Sequence, residues 1–350
     1  MHSTTPHDSR RAVAAWLFAC CALVFAMVVV GGVTRLTHSG LSIVEWKPVI
    51  GAVPPMDDGQ WQAEFDKYKL SPEGRQRNFD MTLEGFKGIY WWEYGHRLLG
   101  RVIGAAFLLP LVYFVARGAI RGALGWRLAG IFVLGGLQGA VGWFMVASGL
   151  VDDPRVSSLR LAAHLGLAFL IYGAMFWVAL GLATEARARA ARGLVVASRA
   201  FAVLVFVMVL SGALVAGIRA GLAYNTFPLM NGQWIPDEVM LIDPWWKNFV
   251  FNMATVQLDH RAIAMLVAVG AITLWAWTHR SQTAAPQRAW AKALLVAVAL
   301  QVSAGIATLL LQVPIGLAAI HQAGALLVFT CALGLAHALQ GGTAYDPLQR

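Results

Sequence analysis

The feature that most constrains this chain is a series of apolar runs of roughly 18 to 25 residues each, each long enough to cross about 30 Å of hydrocarbon as a helix. The runs are continuous rather than alternating, which excludes a transmembrane β-barrel. Only 13% of the 350 residues are charged, about half of what a water-soluble domain carries. The chain therefore reads as an all-α polytopic membrane protein. Eight transmembrane helices are expected at about 12–33, 97–116, 127–148, 159–183, 194–218, 256–277, 293–312 and 316–339. The first run is too long for a signal-peptide core and lacks a small-residue cleavage site, so it is retained as a helix.

The net charge of +9 does not indicate nucleic acid, because the basic residues lie in short segments between apolar runs. With the N-terminus in the cytoplasm, the inner segments hold thirteen of the 27 basic residues and three of the 18 acidic ones. Both termini are accordingly expected inside. The resulting organisation is a tail at 1–11, a four-helix bundle at 12–183 with an outer loop at 34–95, a linker at 184–193, a second bundle at 194–340 with an outer loop at 219–255, and a tail at 341–350. Segment 59–69 reads equally well as an amphipathic helix on the membrane surface or as a solvated loop. Cys20, Cys21 and Cys331 all lie within apolar runs, where they read as small core residues.

The two bundles are an internal repeat. At an offset of 181, Gly31, Gly40, Leu41, Gly51 and Pro55 fall on Gly212, Gly221, Leu222, Gly232 and Pro236. Glu93, His96 and Arg97 recur as Gln257, His260 and Arg261. Leu137, Gln138 and Gly142 recur as Leu300, Gln301 and Gly305, and Ala162, His164 and Ala168 as Ala319, His321 and Ala325. Helices one to four and five to eight share their orientation, so the expected architecture is two four-helix bundles related by a pseudo-twofold axis along the membrane normal.

Four histidines fall in the even-numbered helices, each expected within about two turns of its helix start: His96, His164, His260 and His321. All four are then at similar depth, toward the outer leaflet. A histidine inside a span needs a partner or a task. Facing pairs with few carboxylates nearby suit axial ligation of haem iron better than tetrahedral zinc or a glutamate-rich di-iron site. One pair per bundle makes two haem sites. Arg97 and Arg261, next to two of the histidines, are candidates to pair with haem propionates, and Arg35 and Arg219 are weaker ones. Glu93 sits three residues before His96, on the same helical face, and its repeat mate is Gln257. An anion there could stabilise positive charge on a bound substrate, accept a proton from it, or merely favour the helix N-terminus. The asymmetry suggests that the first bundle does the chemistry and the second holds a permanent cofactor.

At these residues the sequence resembles the haem A synthase family. The segments that carry the resemblance are GGVTRLTHSGLSIVEWKPVIGAVPP (31–55), EGFKGIYWWEYGHRLLGR (84–101), LQGAVGWFMVASGL (137–150), RLAAHLGLA (160–168), GALVAGIRAGLAYNTFPLMNGQWIP (212–236), QLDHR (257–261) and HQAGALL (321–327). The resemblance implies oxidation of the C8 methyl of haem O to a formyl group in two steps, giving haem A for terminal oxidases. It implies that His260 and His321 ligate a haem b cofactor, that His96 and His164 bracket the substrate haem, and that Glu93 is essential. Segment 34–95 has no cysteine, so the chain resembles the form without the outer-loop cysteine pair. His38 stands where many relatives carry Glu and is given no role.

Withdrawing hydride equivalents from a ring methyl leaves positive charge that a nearby carboxylate stabilises. Two histidine ligands leave no open iron position for direct oxygen rebound unless one dissociates. The rival readings are a b-type electron-transfer cytochrome and a haem carrier of the membrane. Haem O synthase is the protein partner the pathway implies. The electron acceptor, the oxygen source and the oligomeric state, a homo-oligomer included, stay open. With no transit peptide before residue 12, the expected location is a bacterial inner membrane.

Overall fold

The computed structural model describes residues 6–45, 50–151, 153–184 and 189–341; parts of both terminal tails, of the 184–193 linker and of the first outer loop lie outside these. Among the described residues there is no β-strand, and eight helices are long and apolar enough to cross a membrane. They are α1 (Pro6–Leu36), α4 (Leu83–Ala116), α5 (Gly122–Ala147), α6 (Ser158–Ala183), α7 (Arg192–Gly217), α9 (Met253–Arg280), α10 (Ala285–Leu310) and α11 (Ile315–Gln340). Between them lie α2 (Asp58–Leu70), α3 (Pro72–Gln76) and the single turn α8 (Asn248–Phe251). The large apolar side chains left on the outer faces, such as Leu109, Trp126, Val133 and Leu266, need no protein partner in a bilayer.

The packing has the symmetry of the repeat. In the first half α1, α4, α5 and α6 close a ring of neighbours, and in the second α7, α9, α10 and α11 do the same. The halves meet where α6 touches α11, flanked by α6 against α7 and by α11 against α1. Exchanging each helix for its repeat mate maps this pattern onto itself. Two contacts at the end that carries the long loops locate the axis: Arg35 donates to the Ala216 carbonyl, and Arg219 Nη2 lies 3.2 Å from His38 Nδ1. Each joins positions 181 residues apart, and repeat-equivalent positions touch one another only on a twofold axis. Lower down, the Tyr172 hydroxyl bonds Thr330 at 2.8 Å across the same seam.

The helices α1, α5 and α10 begin several residues before their expected starts, and α4 departs furthest. Residues 83–95 are aromatic and polar rather than lipid-like, yet they extend the N-terminal end of α4 beyond the expected start at 97. Their partner is α2. Asp57 caps α2 by accepting from the Gln60 amide at 2.8 Å, and Trp61, Phe65 and Tyr68 bury one face of it against Phe86, Tyr90 and Tyr94 of α4. Segment 59–69 is therefore helical, but its apolar face is spent on α4 and not on a membrane surface. Edge-on rings such as Trp61 and Tyr90, 4.9 Å between centroids, contribute beyond simple area burial.

Under this cap lies Glu73, 3% exposed. Its carboxyl is pushed up to about 7, chiefly by burial, with Arg77 opposing the rise and Glu93 adding to it. An acid whose folded value exceeds its unfolded value of about 4.5 stabilises the fold fully below that lower value, and the benefit is lost as pH rises through 7. Protection factors in α2 and α3, which correct exchange rates for their intrinsic pH dependence, are accordingly expected to fall between pH 5 and pH 8. In Glu73→Gln that pH dependence should flatten.

Candidate functional site

The end of each half that carries the long loop holds the same set of polar side chains. His96 on α4 and His164 on α6 belong to the first ring, and His260 on α9 and His321 on α11 to the second. His164, His260 and His321 lie about two turns into their helices, as expected, whereas His96 is about three and a half turns into α4 because that helix begins at Leu83. The extra turns belong to the α2 cap, so the ring itself stays level with its mate.

Glycine explains how four imidazoles fit between packed helices. A β-carbon at Gly31 would lie 2.9 Å from His96 Nε2, at Gly142 2.8 Å from His164 Cε1, at Gly212 3.2 Å from His260 Cε1 and at Gly305 2.7 Å from His321 Cε1. These are the glycines of the repeat, so the duplicated positions preserve room for the rings. Gln138 and Gln301, another repeat pair, donate to the backbone carbonyls of His164 and His321 at 3.0 and 2.8 Å, tying α5 to α6 and α10 to α11 at this level. The sequence displayed both pairs as repeat positions without revealing either contact.

A Gly305→Ala substitution is expected to swing the His321 ring aside while leaving the backbone in place, since the imidazole is the mobile partner. Ligand geometry tolerates about 0.5 Å. Retained haem should fall several-fold on extraction from folded protein, and Gly212→Ala, with 0.5 Å more clearance, should lose less.

Glu93 is 3% exposed and both its oxygens are engaged. Oε1 accepts from Arg97 Nη2 at 2.6 Å and Nε at 3.0 Å; Oε2 accepts from the Ser42 hydroxyl at 2.7 Å and the Ile43 amide at 2.9 Å. Arg97 also donates to the carbonyls of Ile43 and Glu45. In the second half Arg261 Nη2 donates to Gln257 Oε1 at 2.9 Å and to the carbonyls of Tyr224 and Thr226, while Gln257 donates to the Ala220 carbonyl at 2.7 Å. Both arginines thus clamp a long loop over their bundle, and both clamps reach back four residues to position 93 or 257. The two differ in the charge of Glu93 and in its further partners: Glu93 accepts from Ser42 and Ile43, whereas Gln257 donates to the Ala220 carbonyl. His38 takes part as well: its Nδ1 lies 2.7 Å from Arg77 Nη1 and 3.2 Å from Arg219 Nη2. Burial, helped by Arg77, Arg219 and Arg35, pushes its pKa down to about 4, so at neutral pH it is an uncharged acceptor for two guanidinium groups.

The donor set fits a haem in each half. Imidazole pairs suit iron, the rings have glycine beside them, and the buried Nδ1 atoms of His164 and His321 have no hydrogen-bond partner among the described residues. Among the described residues no group of three or more His, Cys, Asp or Glu side chains could hold a metal ion.

Known proteins agree with this construction. The family profile described as "Cytochrome oxidase assembly protein" (COX15-CtaA) matches residues 14–333. A protein of Nitrosospira multiformis named "Heme A synthase" is 56% identical over 335 residues, covering 95% of this chain and 94% of that one. Proteins of the same name from Nitrosomonas eutropha and Parvibaculum lavamentivorans are 52% and 51% identical, covering 92% and 95% of both partners respectively. With a profile match across nearly every span and half the residues identical end to end, the chain belongs to the cytochrome oxidase assembly protein family that includes these haem A synthases.

Proposed function

We propose that the protein is a haem A synthase, oxidising the C8 methyl of haem O to a formyl group in two steps. The observation that carries this reading is the shared name of relatives about half identical over nearly the whole chain, joined to two repeat-related histidine pairs of which one has a carboxylate beside it. His96 and His164 hold the substrate haem in the first half. His260 and His321 hold haem b in the second, where it supplies one-electron redox capacity.

Glu93 acts by its fixed charge. Both oxygens are already engaged by donors, so accepting a substrate proton would break a bond that the clamp uses. A carboxyl group held by these donors one helical turn from a substrate ligand needs no rearrangement to stabilise positive charge as electrons leave the methyl group. Arg97 and Arg261 hold the outer loops over the two sites, and their remaining reach toward a propionate comes second to that task. The protein works in a bacterial inner membrane with both termini in the cytoplasm, a reading supported by the even number of spans and the basic inner segments. Haem O arrives from haem O synthase, since so apolar a substrate is best handed over within the bilayer.

The test is extraction and chromatography of the haems from protein purified out of cells that also make haem O. Haem b together with haem O and haem A is the expected result. Haem b alone, unchanged when haem O is supplied, would favour a cytochrome or a carrier.

A further inference from the structure

Where repeat-equivalent positions differ, the halves can do different work. One such difference touches a histidine ring directly. Ser211 of α7 places its hydroxyl 3.1 Å from His260 Nδ1. Its mate, 181 residues earlier, is Val30 of α1, which has no polar atom to offer, and His96 has no hydrogen-bond partner among the described residues. A second difference lies in the same two sites. The helices that carry His260 and Gln301, α9 and α10, pack closely against each other, whereas their mates α4 and α5 touch only lightly.

We propose that Ser211 is the positioning residue that locks a permanent haem into the second half, and that valine at the equivalent position leaves His96 free to turn, so that the first half exchanges its haem. This rests on the reading of His260 and His321 as haem b ligands. With Nε2 of His260 toward iron, Nδ1 carries the proton and donates it to Ser211 Oγ, which fixes both tautomer and ring plane. For His260 to swing away it must break that bond within a tightly packed half. His96 rotates against Gly31 with nothing polar to release, beside a loosely joined helix pair. A synthase needs this contrast, because its substrate must enter and its product leave on every turnover while the second haem stays.

The experiment measures haem transfer from the full-length purified protein to excess apomyoglobin. The midpoint potential of the retained haem b is measured on the same samples. Loss of an outer-shell partner to a ligating histidine weakens binding by about 10- to 100-fold. Ser211→Val should therefore release haem b faster by that factor and shift its potential, while Ser211→Thr, which keeps the hydroxyl, should stay close to wild type. Val30→Ser should slow release from the first site by a similar factor. If Ser211→Val purifies without haem b, Ser211→Ala, which adds no bulk, takes its place in the comparison. Wild-type release and potential in the hydroxyl-free variants, or equally fast release in Ser211→Thr, would overturn the lock. A wild-type protein that keeps haem b but makes no haem A would instead overturn the synthase reading, leaving the release comparison intact.

Discussion

Glu93→Gln is expected to yield a folded protein that keeps haem b and makes almost no haem A. The second half shows why this variant removes charge without removing structure: Gln257, at the equivalent position, accepts from Arg261 at 2.9 Å and donates to a loop carbonyl at 2.7 Å. Glutamine at 93 can keep the Arg97 bond in the same way. Its amide nitrogen can donate to the Ser42 hydroxyl, while the Ile43 amide gives up the bond it makes to Oε2. What disappears is the anion beside His96. Removing one preorganised electrostatic group costs about 10²- to 10³-fold in rate, roughly 3–4 kcal/mol. Chromatography of extracted haems, with haem b as the internal standard of folding, should show haem O persisting where wild type accumulates haem A. If the variant made haem A at the wild-type rate, Glu93 would be a loop clamp and nothing more.

The second large effect separates the halves. His321→Ala should purify with haem b reduced to less than a tenth and with no haem A, because a bis-histidine site that loses one ligand loses both affinity and its low-spin spectrum. His164→Ala, the equivalent change in the first half, should keep haem b at wild-type stoichiometry and still fail to make haem A. The pair is informative because each alanine leaves a similar space at an equivalent place, so a general loss of stability would strike both. Parallel loss of haem b in the two variants would mean that the assignment of cofactor and substrate to separate bundles is wrong.

Much of this was legible in the chain. Eight apolar runs set the number of spans, and the recurrence of His96 and His164 as His260 and His321 singled out the four imidazoles beside which the fold places glycines. Hydropathy and repetition are carried by the order of residues alone, so they survive without coordinates. The N-terminal extension of α4 was hidden because residues 83–95 are too polar to read as a span; only docking of α2 gives their aromatic face a partner. His38 looked idle until folding brought it between Arg77, 39 residues away, and Arg219, 181 away. Val30 and Ser211 stand one residue before the Gly31 and Gly212 pair, and only the contact of Ser211 with His260 gives that difference a meaning.

The sequence by itself determined a duplicated, eight-span membrane bundle with two histidine pairs and one asymmetric carboxylate, because hydrophobic length and repeat spacing are local properties that the bilayer reads directly. The tertiary structure alone decided that Glu93 is saturated by Arg97, Ser42 and Ile43, that glycines seat the four imidazoles, and that a hydroxyl steadies His260 but not its mate. Those outcomes depend on which side chains arrive within about 3 Å of one another, and that is settled by how the helices pack.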